Sequence, residues 1–237
     1  MSGTFAVYQK EMATYFRSPI AYFVVAVFLL GTGYFFLYNV FLTGDATMAG
    51  TFQNMGVLLM SVIPVLSMRL FAAEYSAGTM ELLLTLPLQP WQIVLGKYLG
   101  AVTILMLIAA GTLVDLIPLY LFGNPETLTI VSGYIGFVLL GMACLAIGQF
   151  FSALTQNQIV AAIVTFGVLL MFWVIGWSAD YAGGVAGKIL AHLSIIEHYE
   201  SFAKGVIETR DVVYYLDFTA LALFLSLRSL ESRRWSG

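Results

Sequence analysis

Charge is what this sequence has least of. Only 10% of its 237 residues are Asp, Glu, Lys or Arg, while 60% are hydrophobic. A soluble domain averages roughly 25% charged and about 45–50% apolar. A chain this apolar cannot cover itself with polar surface in water. Soluble enzymes, nucleic-acid binders and disordered scaffolds are therefore excluded, and the natural solvent is a bilayer. Cationic surplus is missing too. The formal net charge is −3, and no basic run provides an electrostatic footprint for nucleic acid. Cysteine is almost absent: the single residue, Cys144, sits in an apolar stretch, which excludes an intrachain disulfide and a Cys/His metal cluster. Catalytic signatures are absent as well. There is no G-x-S-x-G elbow, no HExxH, no P-loop and no GxGxxG after a strand. No catalytic, cofactor-binding or metal-ligating residue is expected on this chain.

What the sequence does have is long charge-free intervals. A spanning helix needs about 20 mostly apolar residues. The intervals predict an all-α integral membrane protein with spans at 21–41, 52–70, 98–122, 133–153, 158–178 and 212–228. The interval from Glu126 to Asp180 carries no charge and holds two of them, divided by the polar cluster 152–158. The last span carries Asp217. Its strongly apolar residues each favour insertion by about 0.3–0.6 kcal/mol, which together outweigh the ~2.5–3.5 kcal/mol cost of a central Asp.

Residues 1–19 carry Lys10, Glu11 and Arg17 and lack a following cleavage site, so they do not read as a signal peptide. Phe5, Tyr8, Met12, Tyr15 and Phe16 recur at helical spacing and Arg17 follows them. This predicts an amphipathic helix on the membrane surface, with membrane lipid as a partner. Ser18-Pro19 breaks it before the first span. With six spans, both termini share a side. That side holds Lys10, Arg17, Arg69, Lys97, Arg228, Arg233 and Arg234, against Lys188, Lys204 and Arg210 opposite. The bias puts both termini in the cytoplasm. The loop around Asp45 and the segment 179–211 then face outward.

Two segments exceed what spanning requires. The first is the cytoplasmic stretch 74–88, EYSAGTMELLLTLPL. Gly78-Thr79 reads as a helix start, with Thr79 as the cap and Glu81 in the first turn, where its charge suits the helix dipole. Leu82, Leu83, Leu84 and Leu86 follow, and Pro87 stops the helix. These leucines rest either on the bilayer and the underside of the bundle or in a cytoplasmic partner. The second is the external segment 179–211. There His198, Tyr199, Phe202 and Val206 form an apolar stripe, which predicts an amphipathic helix, interfacial or re-entrant. His192, Glu197, His198 and Glu200 match no zinc spacing. Asp115 and Asp217 are the two acids inside spans, and such residues are functional candidates by default. Their sequence positions put both in the outer third of the membrane.

Six stretches stand out: YFRSPIAYFVVAVFLL (15–30), RLFAAEYSAGTMELLLTLPL (69–88), WQIVLGK (91–97), AIGQFFSALTQNQIVAA (146–162), IIEHYESFAKGVIETRDVVYYL (195–216) and RSLESRRW (228–235). Through them the chain resembles an ABC-2 type permease, the six-span membrane subunit of an ATP-driven exporter, most closely its gliding-motility-associated (GldF-like) branch. The most specific motif is acid-x-x-x-Gly-Thr-x-Glu-x-Leu-Leu. Here it is Glu74, Gly78, Thr79, Glu81, Leu83 and Leu84, with Leu82 between. Where the family often has basic residues after the acid, this chain has Tyr75, Ser76 and Ala77.

By this resemblance, Glu74, Gly78, Thr79, Glu81, Leu82, Leu83 and Leu84 dock a separate ABC ATPase subunit. That subunit, and not this chain, binds MgATP. Phe5, Tyr8, Met12, Tyr15, Phe16 and Arg17 form the interfacial helix, and His198, Tyr199, Phe202 and Val206 an outward gate. A second permease half completes the unit, as a homodimer or as a heterodimer with a companion carrying a large extracytoplasmic domain. The implied location is the inner (cytoplasmic) membrane. Two rival functions remain: an ATPase-coupled anchor acting on an external gliding or secretion assembly, and an ion-coupled secondary transporter using Asp115 and Asp217.

Overall fold

In hydrocarbon, backbone N–H and C=O groups must find partners within the chain. The described residues answer with helices and short turns, and contain no strand. The structure, a computed structural model, describes residues 3–44 and 47–235; the side chains of 41–43, 84, 179, 180, 182, 186 and 233–235 fall outside that description. Asp45 and the side chains of Leu84, Arg233 and Arg234 therefore lie outside the described residues.

In chain order the helices are α1 (Gly3–Arg17), α2 (Pro19–Thr43), α3 (Ala49–Ser67), α4 (Ala72–Ser76), α5 (Thr79–Thr85) and α6 (Pro90–Thr112). A 3-10 turn, Leu113–Asp115, leads to α7 (Leu116–Phe122), α8 (Thr127–Leu154), α9 (Gln158–Ala182), α10 (Gly184–Leu193), α11 (Ile195–Ala203) and α12 (Thr209–Trp235). Among the described residues, six stretches are long and apolar enough to cross a membrane: Pro19–Val40, Ala49–Ser76, Pro90–Phe122, Thr127–Leu154, Gln158–Ser178 and Thr209–Ser232. The protein is an all-α, multi-pass membrane protein.

Local chemistry sets the helix ends. Pro90 occupies the first turn of α6, and Gln89 and Gln92 close a reciprocal capping box there. The Asn157 side chain accepts from the backbone N–H groups of Ile159 and Val160 and starts α9. The third crossing thus begins at Pro90, before the apolar run at 98, because a good cap extends the helix through Gly96 and Lys97. The 3-10 turn has a cause in Pro118. Proline lacks an N–H, and its ring crowds the carbonyl four residues earlier, at Val114, so the α-ladder is interrupted.

Helix α8 is the axis of the bundle. It packs on α3, α6, α9, α11 and α12. Lipid tails are as apolar as leucine, so close backbone approach, rather than escape from water, holds such helices together. Glycines on α8 provide it. A Cβ added at Gly133 would come within 2.2 Å of the Phe52 ring, at Gly136 within 2.3 Å of Phe202, and at Gly141 within 2.6 Å of Leu105. The helices α2, α9 and α12 turn most of their surface outward.

One end of the bundle gathers α1, α4, α5 and the 155–157 turn. There Ser152 Oγ accepts from the N–H groups of Phe71 and Ala72, at 3.0 Å each, and donates to the Met68 carbonyl at 2.8 Å. Ser152 opens the polar cluster that divides the fourth and fifth spans in the sequence, a place that suggests solvent. It is instead fully buried inside α8, because the break between α3 and α4 leaves backbone groups that need it. The opposite end gathers the 123–126 loop, α10 and α11.

Candidate functional site

At the α1 end, the sequence folds a charge cluster into the protein. Val7, Glu11 and Tyr15, spaced four apart, form the buried face of α1. This face lies on α6 where glycines admit it. A Cβ at Gly96 would meet Val7 at 2.7 Å, and one at Gly100 would meet Glu11 at 2.8 Å. Between those glycines stands Lys97, only 1% exposed. Its ammonium lies 2.6 Å from Glu11 Oε1 and 3.0 Å from Glu74 Oε2, and 5.3 Å from the centre of the Phe71 ring. Lys10, half exposed, closes on the other Glu74 oxygen at 2.5 Å. Three elements, α1, α4 and α6, thus meet on one buried cation. A burial penalty for three charges is offset only if each has a partner, and here each does. A cavity of about 230 Å³ adjoins the cluster, lined by Lys10, Thr14, Arg69 and Thr79 among others.

Further ties fix α1. Tyr15 donates to the Leu66 carbonyl at 3.1 Å, and Arg69 donates to Ser18 Oγ. Burial, and then the negative charge of Glu11, push the Tyr15 hydroxyl well above the ordinary tyrosine range, with Arg69 working the other way. The expected surface stripe is therefore split. Phe5 and Phe16 are exposed, Tyr8 and Met12 are half-buried, and Tyr15 points into the protein. Arg17 is exposed at the end of α1. The face that matters most for packing carries an acid, which an apolar-stripe reading passes over.

The short helices next to the cluster also divide. Gly78 has φ +66° and is the N-cap of α5, so the cap is Gly78 and not Thr79. Only glycine takes that left-handed turn without strain. Thr79 is the first helical residue, its hydroxyl 3.4 Å from the Glu74 carbonyl. The helix stops at Thr85, and Leu86 is already extended, as a residue preceding proline must be. Met80 and Leu83 are buried, whereas Glu81, Leu82 and Leu86 are exposed, Leu82 by 68%. Glu74 is buried in the charge cluster. Of the expected docking residues, then, Glu81 and Leu82 face out, and Glu74 and Leu83 face in.

At the opposite end, Gly183 and Gly184, with φ +58° and +57°, reverse the chain after α9 so that α10 folds back along it. Ser194 caps α11, which is inserted against α3, α8 and α9. Tyr199 donates to the Phe52 carbonyl at 2.9 Å, and Tyr215 to Ile195 at 2.6 Å. His198 Nδ1 is 2.7 Å from Asp211, Nε2 is 3.2 Å from the His192 carbonyl, and the ring stacks on Tyr214 with centres 3.9 Å apart. His198, Tyr199 and Phe202 are thus buried, while Val206 lies past the helix end and is half exposed. The stripe is a packing face within the bundle. Burial lifts the Tyr199 hydroxyl well above its ordinary range, and Tyr134 adds to the effect.

The two intramembrane acids are placed apart. Asp115 sits half-buried in the 3-10 turn after α6. Asp217 is on the exposed side of α12, lining a cavity of about 490 Å³ with His192, Arg210, Tyr214 and Phe218. Sequence reasoning missed Lys97, Glu11, Lys10 and the His198–Asp211 pair as sites. The available signal for the first was a Gly-Lys-x-x-Gly run at a span entrance, which reads only as a flanking charge.

The described residues thus form a six-crossing helical bundle with an ion-paired head at one end and the inserted helix α11 at the other, the class of a multi-pass membrane protein. The chain matches the family model of ABC-2 family transporter proteins over residues 5–232 and belongs to that family. Members are permeases that associate with an ABC ATPase subunit and dimerise. No curated protein matches the chain significantly.

Proposed function

We propose that this chain is the membrane-spanning half of an ABC exporter, driven by a separate ATPase that docks on the outward edge of α5. The observation that carries the reading is the two-faced α5. Met80 and Leu83 anchor it, while Glu81, Leu82 and Leu86 present an acid and two large apolar side chains outward, at the end that also bears Lys10, Arg17 and Arg69. Exposed leucines beside an acid suit a groove on a folded partner better than bulk water. That end is cytoplasmic by the Lys/Arg bias, and the membrane is the inner one. MgATP binds the partner. A second copy, or a related permease carrying a large extracytoplasmic domain, completes the unit, and the α10–α11 pair forms the outward gate.

The test is a pull-down in detergent. Glu81→Arg with Leu82→Asp is expected to release the ATPase while leaving membrane insertion and the size-exclusion profile unchanged. Full retention of the ATPase overturns the docking assignment. Leu83 is unsuited to this test, because its buried side chain makes Leu83→Asp a packing defect.

A further inference from the structure

The docking reading leaves a mechanical problem. Helices α4 and α5 span five and seven residues, and helices this short do not hold themselves together in isolation. Whatever pushes on α5 moves the rest of the protein only if the segment is held in one orientation. Its apolar anchors, Met80 and Leu83, can slide. Ser152 holds the start of α4 to α8. The directional tie in the middle of α4 is Glu74, clasped by Lys97 of α6 and Lys10 of α1, and the Thr79 hydroxyl bonds the Glu74 backbone carbonyl across the Gly78 turn.

We infer that Lys97 is a positioning residue for ATP coupling: by neutralising Glu11 and Glu74 together, it joins α1, the α4–α5 segment and α6 into one body. A displacement imposed on α5 then reaches the long helix α6 instead of being absorbed in the 77–89 stretch. This rests on the docking reading above. The geometry fits the role. Lys97 is almost fully buried, its two carboxylates come from two different elements, and Gly96 and Gly100 on either side bring α1 into contact with α6. An apolar residue of similar volume would fill the space without fixing the angle. On this inference the cluster's ion pairs contribute a fixed geometry rather than net stability.

The experiment uses the full chain with its ATPase in nanodiscs. The reporter is Val206→Cys, since Val206 is 51% exposed and the native Cys144 is fully buried and silent. Lys97→Met, Glu11→Gln and Glu74→Gln together remove the charges while keeping the volume. This variant is expected to retain the ATPase and to melt near the parent temperature. The ATP-induced change in maleimide labelling of Val206→Cys is expected to fall at least ten-fold. Lys97→Arg, which keeps a cation able to bridge both acids, is expected to restore most of it. An undiminished ATP response in the neutral variant overturns the inference, since the cluster is then only packing. Should the neutral variant misfold, Glu74→Gln alone leaves the Lys97–Glu11 pair intact. It is expected to cut the response about three-fold, and an unchanged response overturns the inference. Failure of the docking reading looks different: the parent chain then retains no ATPase, or retains it without any ATP response.

Discussion

Lys97 shows how much of this protein is decided by single side chains. Removing its charge alone, as in Lys97→Met, leaves the Glu11 carboxylate buried without its partner and Glu74 held only by Lys10. Breaking a buried pair in this way costs about 3–5 kcal/mol. The expected outcome is a clear drop in melting temperature in detergent, largely reversed when Glu11→Gln and Glu74→Gln are added. The sequence could not announce this. Glu11 lies 86 residues from Lys97, and charges beside a span normally read as solvated flanks. Tyr15 and Tyr199 give a second residue-scale expectation. Their hydroxyls are held above the ordinary tyrosine value, about 10, mainly by burial. A raised folded-state value adds stability below the ordinary value and loses it as pH rises. The melting temperature should therefore decline above about pH 10, where the unfolded chain sheds tyrosine protons that the folded chain keeps. Tyr15→Phe should flatten part of that decline. Resistance to the pH rise in the parent chain would contradict the burial of both hydroxyls.

At the scale of elements, glycines do what apolar periodicity cannot reveal. The amphipathic character of α1, α5 and α11 was legible in the sequence, because side chains three and four apart share a face. What each face meets was not. The stripe of α11 suggests an amphipathic helix on a surface, yet Tyr199 and Phe202 are inserted between helices whose glycines make room for them. Gly136→Val places carbon where the Phe202 side chain sits. Overpacking of this kind costs about 1–3 kcal/mol. It should appear as faster hydrogen exchange across α11 with the other helices unchanged. Gly78→Val tests the turn into α5. A β-branched residue forced to φ +66° is strained by about 1–2 kcal/mol. The expected result is roughly ten-fold faster exchange of the α5 amides and a matching loss of ATPase retention. The cap itself was misread in the sequence as Thr79. A threonine before a helical run is the common signal, and only the backbone angle shows that the glycine has taken the position.

At the scale of the whole molecule, two cysteine reporters test the direction in which the bundle sits. Val206→Cys and Leu86→Cys lie at opposite ends and both side chains are about half exposed. In intact cells an impermeant maleimide should label the first and spare the second, with the reverse in inverted vesicles. The same pattern at both positions would contradict a six-crossing chain. The sequence by itself determined that this is a helical, multi-pass membrane protein, and roughly where its six crossings lie. Hydrocarbon tolerates no unpaired backbone and little charge, so length and composition are enough to mark a span. Tertiary structure alone decided which surfaces meet: α1 on α6, α11 inside the bundle, and Lys97 between two distant acids. Inside a bilayer a leucine facing lipid and a leucine facing protein look alike in sequence. Small residues and polar partners far apart along the chain therefore select the packing, and their pairing exists only once the helices are together.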